Sequence, residues 1–196
     1  MKTISLKITG TSPILMHSDR LVNRFDELSI KMNAIHGKKK KTDEDHEAMA
    51  RIEWEAGLYY DADLGPYIPG KVCKAVLLRG ATKHKLGPKI KSGVVVMTDK
   101  APLSYVGPRE LTKMWANNSF KDVRSVVIMG KRIMRCRPMF PVGWSATFEI
   151  VFDPAVIDLS GLIMSAESAG SLVGMGDYRP EKSGDFGRFN VEVVNV

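Results

Sequence analysis

Three alternating strand-like segments separated by two apolar helical stretches predict an α+β fold. Residues 3–8 put Ile4, Leu6 and Ile8 on one side. Trp144, Ala146, Phe148, Ile150 and Phe152 repeat every second residue, the clearest period-2 pattern in the chain. The chain ends in the β-branched run VEVVNV, and small-residue helical patterns precede the second and third of these strands. Reduced to its core, the order is strand, insertion, helix, strands with a hairpin, strand, helix, glycine loop, strand. This is a βαββαβ plan, an antiparallel sheet with two helices on one face. It leaves the other face open, the face that RNA-recognition folds use.

Pro13 ends the first strand, since proline cannot donate to a sheet ladder. Residues 18–61 then change character and form a charged, helical insertion holding Lys38, Lys39, Lys40 and Lys41 in sequence. Thr42 or Asp43 caps a following helix with an acidic first turn; Met49, Ile52 and Ala56 share one face of it, and Gly57 ends it. Residues 66–70 (PYIPG) read as a stiff, extended lead-in to a helix with Val72, Ala75, Val76 and Arg79 on one face and Cys73 and Leu77 beside it, weakened at its end by Gly80. Short strands are expected at 94–97 and 103–106, then a hairpin of residues 123–129 and 132–139 turning at Gly130-Lys131. In its second strand Ile133, Arg135 and Arg137 point one way and Met134 and Cys136 the other. Asp153-Pro154 breaks the long alternating strand, and residues 159–169 supply the second core helix.

A chain of 196 residues, 44% of them hydrophobic, suffices for one elaborated domain over 1–196. Its 29 Lys and Arg against 22 Asp and Glu give a net charge of +7, which suits a polyanionic partner. Cys73 and Cys136 form no C-x-x-C pair and read as buried thiols of a reducing compartment. Neither a signal peptide nor a membrane-spanning run is visible, so a cytoplasmic protein is expected.

The run GSLVGMGDYRPEKSGDFGRF (170–189) carries chemistry of its own. Its glycines permit positive φ and close approach of a backbone or a phosphate. If the guest is a phosphodiester, amides at Gly174, Gly176, Gly184 and Gly187 form an anion nest, with Arg179, Lys182 and Arg188 adding charge. Alternatively the loop is structural, with Asp177, Glu181 and Asp185 pairing those cations. Lys121, Arg124, Lys131, Arg132, Arg135 and Arg137 make the densest basic cluster. They either track phosphates or protect an edge strand. Trp115, Phe120, Tyr178 and Phe186 are candidates for base stacking or for ordinary packing, whereas Trp54 and Trp144 belong to the core.

Three segments together resemble a known family: SPILMHSDRL after the first strand, PYIPGKVCKAVLLRGAT opening the first core helix, and GMGDYRPEKSGDFGRF before the last strand. They resemble the RAMP superfamily, the ferredoxin-like (RRM-like) proteins of multi-subunit CRISPR effectors, whose members share an IPGSSLKGALR-like helix start and a terminal glycine-rich loop. Among members the chain looks most like the backbone subunits that polymerise along guide RNA, or a free-standing or phage-borne relative of them. The resemblance implies single-stranded RNA or DNA as partner, self-association along the strand, contact with other effector subunits, no cofactor, and residues 18–61 as a thumb. The residues expected to touch nucleic acid are Lys38, Lys39, Lys40, Lys41, Lys71, Lys74, Arg132, Arg135, Arg137, Gly174, Gly176, Arg179, Lys182, Gly184, Gly187 and Arg188.

Two other functions remain open. Some relatives cut RNA without metal through a histidine base, and His17, just after the first strand, is the candidate here; His36, His46 and His84 sit beside no partner in sequence. Asp19 and Asp26 lie where certain backbone subunits carry a cleaving aspartate, but no motif transfers that role. Asp61 and Asp63 lack further metal-ligand spacing and read as a turn, so no metal is expected. The third function is a protein-interaction module that mimics a backbone subunit without binding nucleic acid.

Overall fold

The computed structural model describes residues 1–195, with every side chain except those of Ile128 and Asn195. Val196, the end of the VEVVNV run, lies outside the described residues. In chain order the elements are β1 (Lys2–Gly10), β2 (Ile14–Leu15), α1 (Glu27–His36), α2 (Asp43–Gly57), β3 (Tyr60–Asp61), β4 (Gly65–Pro69), α3 (Gly70–Thr82), α4 (Gly87–Gly93) and β5 (Val94–Val96). They continue with β6 (Lys100–Pro102), α5 (Leu111–Ala116), β7 (Lys121–Ile128), β8 (Lys131–Phe140), β9 (Ser145–Phe152), α6 (Leu159–Ser168) and β10 (Phe189–Asn195). The structure is mixed, with antiparallel sheets, as an α+β class requires. It divides into two compact units: Met1–Ile14, Tyr60–Val106 and Pro141 onward form one, and Leu15–Tyr59 with Gly107–Phe140 form the other.

The first unit is built on a four-stranded sheet in the order β10-β1-β9-β5. Register follows the side-chain alternation: Ile4, Leu6 and Ile8 oppose Ile150, Phe148 and Ala146, and all six are buried. Against that face lie α3 and α6, as a void of about 10 Å³ lined by Leu6, Ile8, Cys73, Val76, Leu77 and Ala166 shows. The buried side of α3 carries Cys73, Val76, Leu77 and Gly80: of the stripe expected from sequence Val76 is buried, as are Cys73 and Leu77 beside it, whereas Val72 is half-buried and Ala75 and Arg79 are exposed. Gly80 lies two residues before the last residue of the helix, Thr82. A Cβ at Gly80 would stand 2.2 Å from the Ser165 carbonyl oxygen, so the glycine lets α3 and α6 touch.

Residues 65–69 are a true strand, pairing with β6 and β3 in the order β3-β4-β6. The strand expected at 103–106 falls earlier, at Lys100–Pro102, because pairing to β4 uses Lys100, Ala101 and Pro102. Beyond it Ser104 makes only an isolated bridge to Ser145, and Val106 is exposed.

In the second unit α1 starts at Asp26, whose carboxylate accepts from the Leu28 amide at 2.9 Å. Thr42 caps α2 in a capping box with Asp45, and Gly57 ends it, as the sequence predicts. Trp54 of α2 is buried, donates Nε1–H to the Phe120 carbonyl at 2.8 Å and meets Trp115 edge-on at 5.5 Å. Phe120 and Phe140 complete this core, 5.9 Å apart. The β7–β8 hairpin belongs to a separate sheet, β2-β8-β7, and not to the four-stranded one. Its turn is Met129-Gly130, one residue earlier than expected, since Lys131 already pairs with Ile128. Both turn residues have positive φ, 49° and 76°, which matches the twist of a two-residue hairpin.

Candidate nucleic-acid interface

Residues 107–140 hold eight Lys and Arg against two acids. Strand alternation and register put Asp122 opposite Arg137 and Arg124 opposite Arg135 on one face of the hairpin. Arg124 grips Asp122 through Nε at 2.6 Å and Nη2 at 2.5 Å. Arg135 Nη1 donates to Glu53 Oε1 at 2.8 Å, and Glu53 Oε2 accepts the Cys136 amide at 3.0 Å. Arg137 Nε donates to His17 Nδ1 at 3.5 Å, so the exposed imidazole and a guanidinium stand together. Lys121 lies over the Trp115 ring at 4.5 Å. At the tip, exposed Arg132 reaches only Ser125 Oγ at 3.4 Å, and exposed Lys131 has no ion pair among the described residues.

The four-lysine run forms the turn between α1 and α2, and its members differ. Lys38 pairs with Asp45 at 2.5 Å. Lys41 donates to the carbonyls of His36 and Lys38 at 3.2 and 3.3 Å, closing the C-terminal end of α1. Lys39 and Lys40 are exposed and make no ion pair among the described residues.

In the first unit the predicted residues are mostly engaged inside the fold. The Lys74 ammonium donates to the carbonyls of Ile90, at 2.6 Å, and Val94; burial holds its pKa below the ordinary lysine range. Lys71 and Lys182 are exposed. Arg179 donates to Glu181 at 2.8 Å and to the Gly176 carbonyl at 3.0 Å, and Arg188 donates to the Ser171 carbonyl. Glu181 also receives Arg79 at 2.6 Å. Burial pushes the Glu181 carboxyl up, but the two guanidinium groups outweigh it and leave the pKa lowered.

Gly174, Gly176 and Gly187 take positive φ, and what approaches Gly174 and Gly187 is the chain itself. A Cβ at Gly184 would lie 1.8 Å from Tyr178 O, and one at Gly187 1.7 Å from Met175 O. The amides of Gly174, Gly184 and Gly187 donate to Ala169, Arg179 and Pro13 carbonyls at 2.8, 3.0 and 2.7 Å.

The solvent side of the central sheet, carrying Thr3, Ser5, Lys7, Thr147, Glu149 and Glu192, has no aromatic ring on β1 or β9 and balances Lys7 with two glutamates. It therefore lacks the stacking platform and the charge that the open face of an RNA-recognition fold provides. Phe120 is core, and Tyr178, exposed at φ 47°, lies 6.2 Å from Phe186.

Among the remaining candidates, Asp26 caps α1 and pairs with Arg20, which holds its carboxyl below the usual range. Asp61 accepts the amides of Asp63 and Leu64 in a turn and pairs with Lys100 at 2.6 Å. His84 Nε2 sits 2.6 Å from Ser168 Oγ. Cys73 and Cys136 are buried free thiols, their pKa values pushed up by burial to about 12 and about 11. Among the described residues no three His, Cys, Asp or Glu side chains are grouped to hold a metal, and no helix is long and apolar enough to cross a membrane.

Sequence reasoning missed Glu53 and Asp122, the acids that fix Arg135 and Arg124. Glu53 falls four residues after Met49 on the inward side of α2, and a carboxylate there needs a partner. No protein-family model matches the chain, and no curated protein does.

Proposed function

We propose that this chain binds single-stranded nucleic acid, RNA in the first place, mainly through its phosphates. The carrying observation is the β7–β8 hairpin, where six cations face one acid and the neighbouring turn adds Lys39 and Lys40. Arginines braced by carboxylates lose little entropy on meeting a phosphate, while Lys131, Arg132, Lys39 and Lys40 are uncommitted. Such contacts give affinity without sequence choice.

The order β10-β1-β9-β5 with α3 and α6 on one face supports a ferredoxin-like βαββαβ reading of the first unit, and with it the likeness to RAMP backbone subunits. On that reading the second unit, not residues 18–61 alone, is the thumb, and copies associate side by side along the strand. The glycine loop serves chiefly to close the fold, with Lys182 as its accessible cation. The test is absorbance at 260 and 280 nm of protein purified in low salt, followed by RNase and DNase treatment. RNA of regular length protected in a large assembly supports the proposal. Nucleic-acid-free protein that also ignores added oligonucleotides refutes it and favours the mimic.

The His17–Arg137 contact favours a second reading, metal-independent RNA cleavage. With its Nδ1 turned from Arg137 to the strand, His17 would take the proton of the 2′-hydroxyl as that oxygen bonds to the adjacent phosphorus. The P–O5′ bond breaks, its oxygen takes a proton from water, and Arg137 would face the charge developing on the phosphate. Cleavage lost in His17→Ala with strand binding retained would establish it; no cleavage by the wild type excludes it.

A further inference from the structure

The second unit contains a groove of about 530 Å³ between α1, α2 and the β7–β8 hairpin, within the roughly 300–1,000 Å³ of ordinary ligand sites. Its walls include the thioethers of Met32, Met49 and Met134. Methionine sulfur is soft and polarisable and packs well against the edge and face of aromatic rings. At one end stand Asn33, His36 and His46, whose side chains make no hydrogen bond among the described residues. A carboxamide and two imidazoles offer donors and acceptors together, which suits the mixed edge of a heteroaromatic ring and not an aliphatic chain.

Charge fixes the rest of the ligand. His36 is the last residue of α1 and His46 lies in the opening turns of α2, so the turn joining them carries Lys39 and Lys40 past that same end of the groove. Both are exposed and without an ion pair among the described residues, and Arg135, held by Glu53, lines the groove on the hairpin side. An apolar slot with a polar edge, with Lys39, Lys40 and Arg135 at its margins beside the acidic first turn of α2, whose Asp45 is paired with Lys38, matches a planar base flanked by its phosphates.

We propose that this groove holds one unstacked base of the bound strand, a conclusion that rests on the strand-binding reading above. The wild type then binds a uridine dodecamer about tenfold more tightly than an abasic ribose-phosphate dodecamer, the scale of a well-buried base. Ala50→Phe, on the groove wall, removes most of that difference while leaving abasic affinity in place, with circular dichroism to check the fold. Crosslinks from 4-thiouridine, read by mass spectrometry, fall on Met49, Met134 or Cys136. Equal wild-type affinity for the two dodecamers overturns the base pocket but leaves strand binding intact. Failure to bind either overturns both. Discrimination that survives Ala50→Phe, with crosslinks elsewhere, also overturns it. A change in sedimentation of strand-free Ala50→Phe protein would mean that a second copy of the chain fills the groove, and the proposal falls.

Discussion

Replacing Lys131 and Arg132 by glutamine tests the hairpin most directly. Neither cation has an acidic partner among the described residues: Lys131 is exposed at the turn, and Arg132 makes one long contact to Ser125. Their loss should leave the fold unchanged, unlike loss of Arg135, which would strand the Glu53 carboxylate. Each phosphate contact on a single strand contributes about 0.7 to the slope of log affinity against log salt, so two lost contacts lower the slope by about 1.4. Between about 50 and about 200 mM salt, a fourfold rise, the gap between wild type and variant should shrink about sevenfold. Fluorescence anisotropy with a labelled dodecamer across that range reads both numbers. Lys83→Gln with Lys91→Gln removes the same charge from exposed positions of the first unit and serves as control. A slope lowered equally by both pairs would reduce the effect to net charge, and an unchanged slope in the hairpin variant would refute phosphate contact at the tip.

Three further outcomes concern stability. Gly187→Ala and Gly130→Ala share nearly the same φ, 73° and 76°, but Gly130 has nothing within 4 Å whereas Gly187 faces the Met175 backbone. Urea unfolding should cost about 1 kcal/mol for Gly130→Ala and about 3 kcal/mol or more for Gly187→Ala, which must also break the Met175–Gly187 hydrogen bond. Lys74→Met should lose about 1–3 kcal/mol of stability through the unpaired Ile90 and Val94 carbonyls, with strand affinity unchanged. Because the folded pKa of Glu181 is lowered, its contribution is present in full above the ordinary glutamate value of about 4.3 and lost as pH falls through the folded value. Glu181→Gln should therefore flatten the acid limb of a stability–pH profile and leave the region above pH about 6 parallel to wild type.

Much of the chain was legible because its signals are local. Ile4, Leu6 and Ile8, and Ala146 through Phe152, announce their strands by alternation, and all are buried. Thr42 announces α2 by a cap that needs only the next three residues. The hairpin was legible to within one residue, the shift arising because Met129 accepts a left-handed conformation that the sequence reading reserved for Gly130. What local patterns do not encode is partnership across distance. Glu53 meets Arg135 and Trp54 meets Phe120 across 82 and 66 residues, so nothing in residues 18–61 reveals that 107–140 completes their unit. The buried side of α3 reaches Gly80 as well as the expected Val76, for a related reason. Gly80 looks like a helix breaker from its own helix and like a contact surface only once the Ser165 carbonyl is beside it.

The glycine loop shows where this limit touches function. From sequence, Gly170, Gly184 and Gly187 state that something comes too close for a Cβ, and a phosphate and a backbone carbonyl make the same demand. The structure puts Phe189, Tyr178 and Met175 carbonyl oxygens 2.0, 1.8 and 1.7 Å from where those Cβ atoms would be. The amides that could have cradled an anion at Gly174, Gly184 and Gly187 each donate to a carbonyl. The loop's charge tells the same way, since Arg179, Lys182 and Arg188 are matched in number by Asp177, Glu181 and Asp185. The hairpin makes no such demand for close approach and has no such balance. Its alternating strands place cations at spacings a flexible phosphate chain follows without any amide being bare. A motif that is conspicuous in sequence thus does architectural work here, and the less conspicuous hairpin carries the unbalanced charge on which the proposed function rests.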